Sequence, residues 1–230
     1  MCGIVGAVGD REVSAILLEG LKRLEYRGYD SAGLAVIDSS AARIDRRRQL
    51  GKVQALVDDV EASPVDGRIG IAHTRWATHG VPSEANAHPH MSGEHIALVH
   101  NGIIENYEEL RDELRAAGYC FQSQTDTEVI VHLVEQHFRQ SNDLLDAVRQ
   151  TIKRLEGAYA LGVITKDDPS RIIAARAGSP LVIGVGINEH FIASDVLALR
   201  PVTDRFVFLE EGDLVEVKQS KLTIWDANGD

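Results

Sequence analysis

Short apolar runs alternate with polar and glycine-containing stretches along most of the chain. The first of these runs are rich in β-branched residues and predict strands at residues 3–8, 33–38, 68–74 and 96–101. Further runs of the same kind in the second half of the chain are AYALGVIT, RIIAARA, PLVIGVG, HFIAS, RFVFLEE, DLVEVK and LTIW. We therefore expect about eleven short strands.

Four segments instead carry apolar residues at helical spacing. They predict helices at residues 13–26, 106–117, 127–138 and 144–155. The strands form clusters separated by a helical block, which favours an α+β fold over a doubly wound sheet. We expect helices to cover two stacked sheets in one domain over residues 1–225. Asn228 and Gly229 follow the last run, so residues 226–230 look like the start of a linker.

Composition narrows the class of protein. Of the 230 residues, 44% are hydrophobic and 26% are charged, which is typical of a globular protein. No apolar run approaches the ~20 residues that a membrane-spanning helix needs. The N-terminal sequence MCGIVGAVGDREV lacks the basic and long apolar regions of a secretory signal. We expect a cytoplasmic protein without a membrane partner.

Charge and cysteine content argue against two further classes. The 35 acidic residues outnumber the 24 Lys and Arg, and the formal net charge of -11 argues against a nucleic-acid partner. The two cysteines, Cys2 and Cys120, are too few for a disulfide framework. Cys120 follows a predicted helix within GYCF, and we expect it to be a buried core thiol.

The position of Cys2 suggests a nucleophile. If Met1 is removed, the thiol and a free α-amine belong to one residue. An α-amine has a pKa of ~7.7 to 8.0, so part of it is neutral at pH 7 and able to accept the thiol proton. Nucleophile and general base would then be one residue. The alternative, which position alone favours, is a small apolar residue that opens a buried strand.

Asn101 and Gly102 end a predicted strand and provide candidate donors to an oxyanion. The side-chain amide of Asn101 and the backbone N–H of Gly102 could both point at a developing negative oxygen, and one such donor typically contributes ~2.7 to 4 kcal/mol to catalysis. The alternative is a plain Asn-Gly turn, which the local sequence favours. A cysteine brought nearby would reverse that preference.

The run HTRWATHG places polar and aromatic side chains at the end of a predicted strand. Arg75 can bind a carboxylate through two parallel hydrogen bonds, and Thr78 and His79 can add hydrogen bonds to the same group. Trp76 could cover such a pocket.

Asp126, within TDTE, offers the opposite charge. Its carboxylate could bind an ammonium group, so that Arg75 and Asp126 together would hold an α-amino acid by both ends. The alternative is that Asp126 is the N-cap of the helix beginning at Thr127.

Two other kinds of site find little support. Six of the nine histidines lie close together in sequence and invite a metal hypothesis: His73, His79, His88, His90, His95 and His100. No acidic or thiol ligand lies at zinc-finger spacing, and strand ends and exposed loops explain the histidines more simply. Gly184 and Gly186 lack the third glycine and the helix of a phosphate loop.

Six motifs, found in a single order, resemble a known family. They are CGIVG at the start, then YRGYDSAG, HTRWATHG, ANAHPH, HNGIIENYEELR and TDTEVI. The set resembles the class II glutamine amidotransferases of the N-terminal nucleophile hydrolases, and among them the glutaminase domains of the glucosamine-6-phosphate synthases. The resemblance covers nearly the whole chain and implies a four-layer αββα sandwich of two antiparallel sheets between helix layers.

The resemblance also implies a role for each matching residue. Cys2 would attack the γ-amide of L-glutamine, with its freed amine as base and with Asn101 and Gly102 as the oxyanion hole. The other implied roles are α-carboxylate binding by Arg75, Thr78 and His79, α-ammonium binding by Asp126, orientation of the N-terminal residue by Arg27, closure of the site and gating of ammonia by Trp76, and a place for His88 near the Trp76 loop. No metal or organic cofactor is implied.

The implied reaction releases ammonia and L-glutamate through a γ-glutamyl thioester. In the family, sugar-phosphate isomerase domains follow the glutaminase domain and use the ammonia to make glucosamine-6-phosphate from fructose-6-phosphate. This sequence ends before such domains, so we expect it to hydrolyse glutamine without making the sugar product. Two alternatives remain: a related class II amidotransferase with another acceptor, and a non-catalytic glutamine-binding domain that retains Met1.

Overall fold

Two antiparallel β-sheets pack face to face in the computed structural model, which describes residues 2–38, 40, 42–76 and 80–230. In chain order, the described strands are β1 (Gly3–Val8), β2 (Ser31–Asp38), β3 (Arg43–Leu50), β4 (Ile69–Arg75), β5 (His90–Ser92), β6 (Ile96–Ile104), β7 (Gly157–Thr165), β8 (Asp168–Ala177), β9 (Val182–Val185), β10 (His190–Ala193), β11 (Phe206–Phe208), β12 (Leu214–Lys218) and β13 (Leu222–Trp225). The strand order is β11-β9-β10-β1-β4-β2-β3 in the first sheet and β13-β12-β8-β7-β6-β5 in the second. Strands β1, β4 and β6, which carry or directly follow the predicted site residues, therefore lie inside their sheets.

Helices cover the outer faces of both sheets. The described helices are α1 (Ser14–Leu24), α2 (Val53–Ala62), α3 (Tyr107–Ala116), α4 (Asp126–Ser141) and α5 (Leu144–Ile152). The first two pack on the first sheet, while α4 and α5 pack on the second and α3 packs against α4. None of the described helices combines the length and the apolar character needed to span a bilayer.

Apolar side chains fill the space between each pair of neighbouring layers. Between the sheets, Ile4, Ile71 and Val99 belong to one buried cluster. A second cluster joins α1 and α2 to the first sheet, and a third joins α4 and α5 to the second sheet. Since strand side chains alternate between faces, each sheet can contribute to two of these clusters. The predicted α+β class and the four-layer sandwich are confirmed.

Among the described strands and α-helices, three were not predicted from the sequence: β3, β5 and α2. The sequence of strand β3, RIDRRRQL, lacks the apolar alternation that marks a strand. The strand lies at the edge of the first sheet, where most of its side chains are half-buried. Helix α2 does carry buried apolar residues at helical spacing, namely Val53, Leu56, Val57 and Val60. That pattern was present in the sequence and was overlooked.

Candidate active site

Antiparallel pairing brings Cys2 beside the end of β4. Strand β1 pairs with β4 so that Gly3 lies opposite Thr74, which places Cys2 level with Arg75 and Trp76. The backbone N–H of Trp76 donates a hydrogen bond to Cys2 Sγ over 3.2 Å, and the thiol lies 3.5 Å from the carbonyl oxygen of Trp76. The thiol is therefore held in place by main-chain atoms.

Burial opposes ionisation of this thiol. It raises the pKa of Cys2 above its ordinary value, while the hydrogen bond from the Trp76 backbone and the positive charge of Arg75 act in the opposite direction. A thiol is nucleophilic as its thiolate. A reaction at Cys2 therefore needs a base to take the proton as the substrate arrives.

The side chain of Asn101 reaches Cys2 from the other sheet. Its Nδ2 donates to the carbonyl oxygen of Cys2 over 3.2 Å, and its Oδ1 accepts from His73 Nε2 over 2.9 Å. An amide nitrogen carries two hydrogens, so one remains for a ligand oxygen. Asn101 lies within β6, and the alternative of an Asn-Gly turn is therefore wrong.

Gly102 lies beside it in a conformation that favours glycine. Its φ is +136°, and an added Cβ would overlap the carbonyl oxygen of Ala158 on β7. The backbone N–H of Glu105 bonds to Glu156, in register with β7, and N–H groups alternate between the two edges of a strand. The N–H of Gly102 is thereby directed to the other edge of β6.

Arg75 and Asp126 lie on the walls of one cleft. This thiol cleft is lined by Cys2, Arg75, Trp76, His88, His100, Gly102, Thr125, Asp126 and Thr127. Arg75 is 3% exposed, and its guanidinium donates to Asp30 Oδ1 over 3.4 Å and to the carbonyl of Gly80 over 3.1 Å. A cation and a carboxylate thus line the same cleft as the thiol.

Asp126 is the first residue of α4, one position after the N-cap. Thr125 is the cap, because its side chain accepts from the N–H of Glu128, so the alternative role of Asp126 as N-cap is wrong. Asp126 Oδ2 instead accepts from the backbone N–H of Ile104 at the end of β6 over 2.9 Å. This bond fixes the carboxylate between the helix and the strand that carries Asn101.

Trp76 lines both the thiol cleft and a second opening. This outer cavity, of about 590 Å³, is lined by Cys2, Arg27, Trp76, Asn101, Gly102, Ile103, Glu105, Ala158, Ser179 and Pro180. The indole is 53% exposed and packs against Gly28. Arg27 lies on the outer cavity, where it donates to Asp195 Oδ2 over 2.6 Å. Cys2 is therefore bordered by two openings, with Arg27 on the outer one.

Three buried imidazoles lie close together at the cleft, and His88 is the one that lines it. The ring of His73 lies 4.1 Å from that of His88, and His88 lies 4.9 Å from His90, measured between ring centroids. Burial lowers the pKa of His73 to about 3 and that of His88 well below its ordinary value. These histidines are neutral at pH 7. No group of metal-binding type is found among the described residues.

The structure brings most of the predicted site residues together. Cys2, Arg75, Trp76, His88, Gly102 and Asp126 line the thiol cleft, and Asn101 adjoins it on the outer cavity. Met1, Thr78 and His79 lie outside the described residues. Cys120 is exposed, so the expectation of a buried core thiol is wrong.

Sequence reasoning missed His73 as a site residue. It was considered as a metal candidate and not as the partner of Asn101, although it shares the HTR run with Arg75. The signal available was its position two residues before Arg75, which puts both side chains on one face of β4.

The fold and the thiol at the start of β1 define the class as an amidotransferase of the N-terminal nucleophile type. The structure of a glutamine phosphoribosylpyrophosphate amidotransferase from B. subtilis superposes with a TM-score of 0.84 and 28% identity, over 98% of this chain and 49% of that chain. A glutamine aminotransferase class-II domain protein from Silicibacter pomeroyi shares the fold, with a TM-score of 0.62 and 16% identity over 98% of this chain and 99% of that chain.

The chain belongs to the glutamine amidotransferase domain family, whose sequence profile matches residues 73–201. It is 60% identical, over 229 residues, to a glutamine--fructose-6-phosphate aminotransferase [isomerizing] of Pseudomonas putida and 61% identical to the one of Vibrio cholerae. Each alignment covers all of this chain and 37% of the relative. The chain thus spans little more than a third of the length of these curated relatives.

Proposed function

We propose that this chain hydrolyses L-glutamine to L-glutamate and ammonia, with Cys2 as nucleophile. The observation that carries the proposal is the position of the Cys2 thiol. It lies on a cleft lined by Arg75 and Asp126, and Asn101 adjoins it with one amide hydrogen available. Relatives and structural neighbours whose names include glutamine support the same substrate.

The two charged walls suit the two ends of an α-amino acid. Arg75 binds the α-carboxylate, together with Thr78 and His79 from the same run, and Asp126 binds the α-ammonium. The side-chain amide of glutamine then extends toward Cys2. His88 lines the cleft beside Arg75.

The reaction begins with transfer of the Cys2 thiol proton to its own α-amine, which is free once Met1 has been removed. Sγ attacks the γ-amide carbon, and the resulting oxyanion accepts hydrogen bonds from Asn101 Nδ2 and from the N–H of Gly102. The proton passes to the amide nitrogen as the C–N bond breaks. Ammonia leaves, and a γ-glutamyl thioester remains on Cys2.

Water completes the cycle. It attacks the thioester carbon while the α-amine takes its proton, and the same oxyanion donors stabilise the second tetrahedral intermediate. The C–S bond breaks, L-glutamate leaves and the Cys2 thiol is restored. Arg27 orients the N-terminal residue from the outer cavity, and Trp76 closes the cleft during the reaction.

The names of the relatives support a wider role. We infer that in a longer chain the ammonia passes to sugar-phosphate isomerase domains, which convert fructose-6-phosphate to glucosamine-6-phosphate in the cytoplasm. A longer protein that contains this sequence should form glucosamine-6-phosphate from glutamine and fructose-6-phosphate. The 230-residue chain alone should not.

The test of the proposal is glutamate release from glutamine by the purified chain, with the intact mass recorded on the same sample. We expect turnover when Met1 is absent, complete loss of it in Cys2→Ala, and unchanged turnover in the matched control Cys120→Ala, because Cys120 is exposed. Unchanged turnover in Cys2→Ala would rule out Cys2 as the nucleophile. Glutamine binding by a chain that retains Met1, without turnover, would favour the non-catalytic alternative.

A further inference from the structure

The orientation of the Asn101 amide is determined at both ends. Its Oδ1 lies 2.9 Å from His73 Nε2, and its Nδ2 lies 3.2 Å from the carbonyl oxygen of Cys2. A carbonyl oxygen can only accept, so the group that faces Cys2 must be the NH₂ group. The oxygen of the amide therefore faces His73.

The tautomer of His73 is fixed because both groups that contact its Nε2 are hydrogen-bond acceptors. Nε2 lies 2.9 Å from Asn101 Oδ1 and 3.0 Å from the carbonyl oxygen of His100. Nε2 must carry the hydrogen and donate it, which leaves Nδ1 as an unprotonated nitrogen. Consistent with this, Nδ1 is buried without a hydrogen-bond partner in the part of the chain that the structure describes.

The surroundings keep the imidazole in this single form. His73 is 0% exposed, and burial lowers its pKa to about 3, so it stays neutral and keeps one hydrogen over the ordinary pH range. The ring of His88 packs against it at a centroid distance of 4.1 Å. His73 lies on β4 and Asn101 on β6, so the hydrogen bond also joins the two sheets next to Cys2.

We propose that His73 is a positioning residue for glutamine hydrolysis, which holds the Asn101 amide so that an N–H of Nδ2 faces the oxyanion. This inference rests on the proposed function. Without the donor on His73, one of the two hydrogen bonds that fix the amide is lost, and only the bond from Nδ2 to the Cys2 carbonyl still opposes a half rotation that would present Oδ1 to the negative oxygen. The loss would fall on kcat, because the oxyanion exists only after glutamine has bound.

The test compares His73→Gln with His73→Met in the full chain. The two side chains are similar in length and volume, but only Gln retains an N–H donor. We expect His73→Met to lower kcat at least tenfold with KM changed less than about threefold, and His73→Gln to recover most of that loss. His95→Met, at an exposed histidine paired with Asp167, is the matched control and should leave kcat unchanged.

A double-mutant cycle distinguishes positioning from general damage. Asn101→Ala should lower kcat by about 100- to 1,000-fold, and adding His73→Met should lower it little further, because the residue being positioned is already gone. Alkylation of Cys2 by iodoacetamide forms no oxyanion, so its rate should be unchanged in a folded His73→Met chain.

The outcomes separate the two proposals. Equal kcat in His73→Met and the wild type overturns the positioning role alone, as does a His73→Gln chain that folds but loses as much kcat as His73→Met. If His73→Met does not fold, His73→Gln is compared with Asn101→Ala instead. A kcat of His73→Gln near that of the wild type then supports the positioning role of His73. Absence of glutamate release from the processed wild type overturns the proposed function, and the positioning role with it.

Discussion

At the residue scale, the environment of Cys2 is poorly suited to a free thiolate. Burial dominates over the hydrogen bond from Trp76 and the charge of Arg75, so the pKa of the thiol lies above its ordinary value. An α-amine on the same residue answers this problem, because proton and acceptor are then a few bonds apart. The electrostatics of the site therefore support the proposed removal of Met1, which would free that α-amine.

The raised pKa can be observed without substrate. We expect the rate of Cys2 alkylation by iodoacetamide in unliganded Cys120→Ser to rise with pH, with a midpoint above the ~8.5 of an ordinary thiol. The sign follows from burial, which disfavours the charged thiolate. Peptide mass spectrometry after timed reaction at several pH values gives the midpoint. A midpoint below ~8 would mean that the positive charges near Cys2 outweigh its burial.

Asp30 holds Arg75 in place through an ion pair and a backbone hydrogen bond. Its carboxylate lies 3.4 Å from the guanidinium, and its backbone N–H donates to the carbonyl of Arg75 over 2.7 Å. Asp30→Asn should raise the KM for glutamine about tenfold with a smaller effect on kcat, because Arg75 is proposed to bind the α-carboxylate throughout the reaction. Asp45→Asn, which alters the ion pair with Arg47 on β3, is the matched control. A fall in kcat at constant KM would contradict the assigned role of Arg75.

At the element scale, the site depends on where strands end and where a helix begins. Cys2 precedes β1, Arg75 ends β4, Asn101 and Gly102 lie in β6, and Asp126 opens α4. Side chains at such positions can face a cleft while the strands themselves stay in the sheets. The close packing of β6 against β7 at Gly102 is one requirement of this arrangement.

Two glycines with positive φ, Gly102 and Gly118, form a matched pair for testing whether the packing of β6 against β7 at Gly102 matters for the site. Gly118, which follows α3, has φ of +93° and no atom within 4 Å of an added Cβ, whereas a Cβ at Gly102 would overlap Ala158. Gly118→Ala should cost about 1–2 kcal/mol of unfolding free energy with kcat unchanged. Gly102→Ala should cost more and should also lower kcat, because β6 must move away from β7 beside the oxyanion. Urea unfolding and glutamate release measure both. Equal effects of the two substitutions would contradict a special role for Gly102.

The same scale explains what the sequence could and could not predict. Apolar runs identified most strands, and the ends of two predicted strands marked Arg75 and Asn101, because polar residues at strand ends stand out against apolar neighbours. Cys2 was marked instead by its position directly after Met1. Strand β3 was not predicted because four of its eight residues are arginines and it forms a sheet edge. Its assignment depends on pairing with β2, which no local pattern reveals.

Contacts between the sheets were beyond sequence reasoning for a similar reason. His73 and Asn101 are 28 residues apart on different sheets, and their pairing depends on how the sheets stack. Local sequence therefore favoured a turn at Asn101, where the structure has an uninterrupted strand. Cys120 was misjudged because an apolar neighbour such as Phe121 indicates burial only if the segment faces the core.

At the scale of the whole molecule, the space between the sheets changes character along its length. Most of it is filled by aliphatic side chains, but next to the thiol cleft it holds the imidazole of His73, which contacts that of His88. His90 continues this row of rings toward the start of α4, where its Nε2 lies 3.0 Å from Thr125 Oγ1. Burial lowers the pKa of His90 to about 3 as well, with Glu128 opposing and Arg48 and Arg46 adding to the effect. The interior therefore contains several bases that the folded state keeps unprotonated.

This burial makes stability depend on pH with a definite sign. Between the native pKa of about 3 and the unfolded value of ~6.5, the unfolded chain binds a proton at His73 and at His90 that the native chain does not. The unfolding free energy should therefore rise with pH across this window, by up to about 1.4 kcal/mol per pH unit for each such histidine. Above pH ~6.5 the contribution of these groups becomes constant, because both states are then neutral.

Replacing one of these histidines should reduce the slope of unfolding free energy against pH by the contribution of one histidine. In His90→Gln, urea unfolding at several pH values between about 4 and 7 should show a slope lower by about 1.4 kcal/mol per pH unit than the wild type. His95→Gln is the control, because His95 is exposed and its slope should match the wild type. Equal slopes in all three chains would show that the interior admits a proton, in which case the neutral imidazole that is proposed to hold the Asn101 amide would not be maintained in acid.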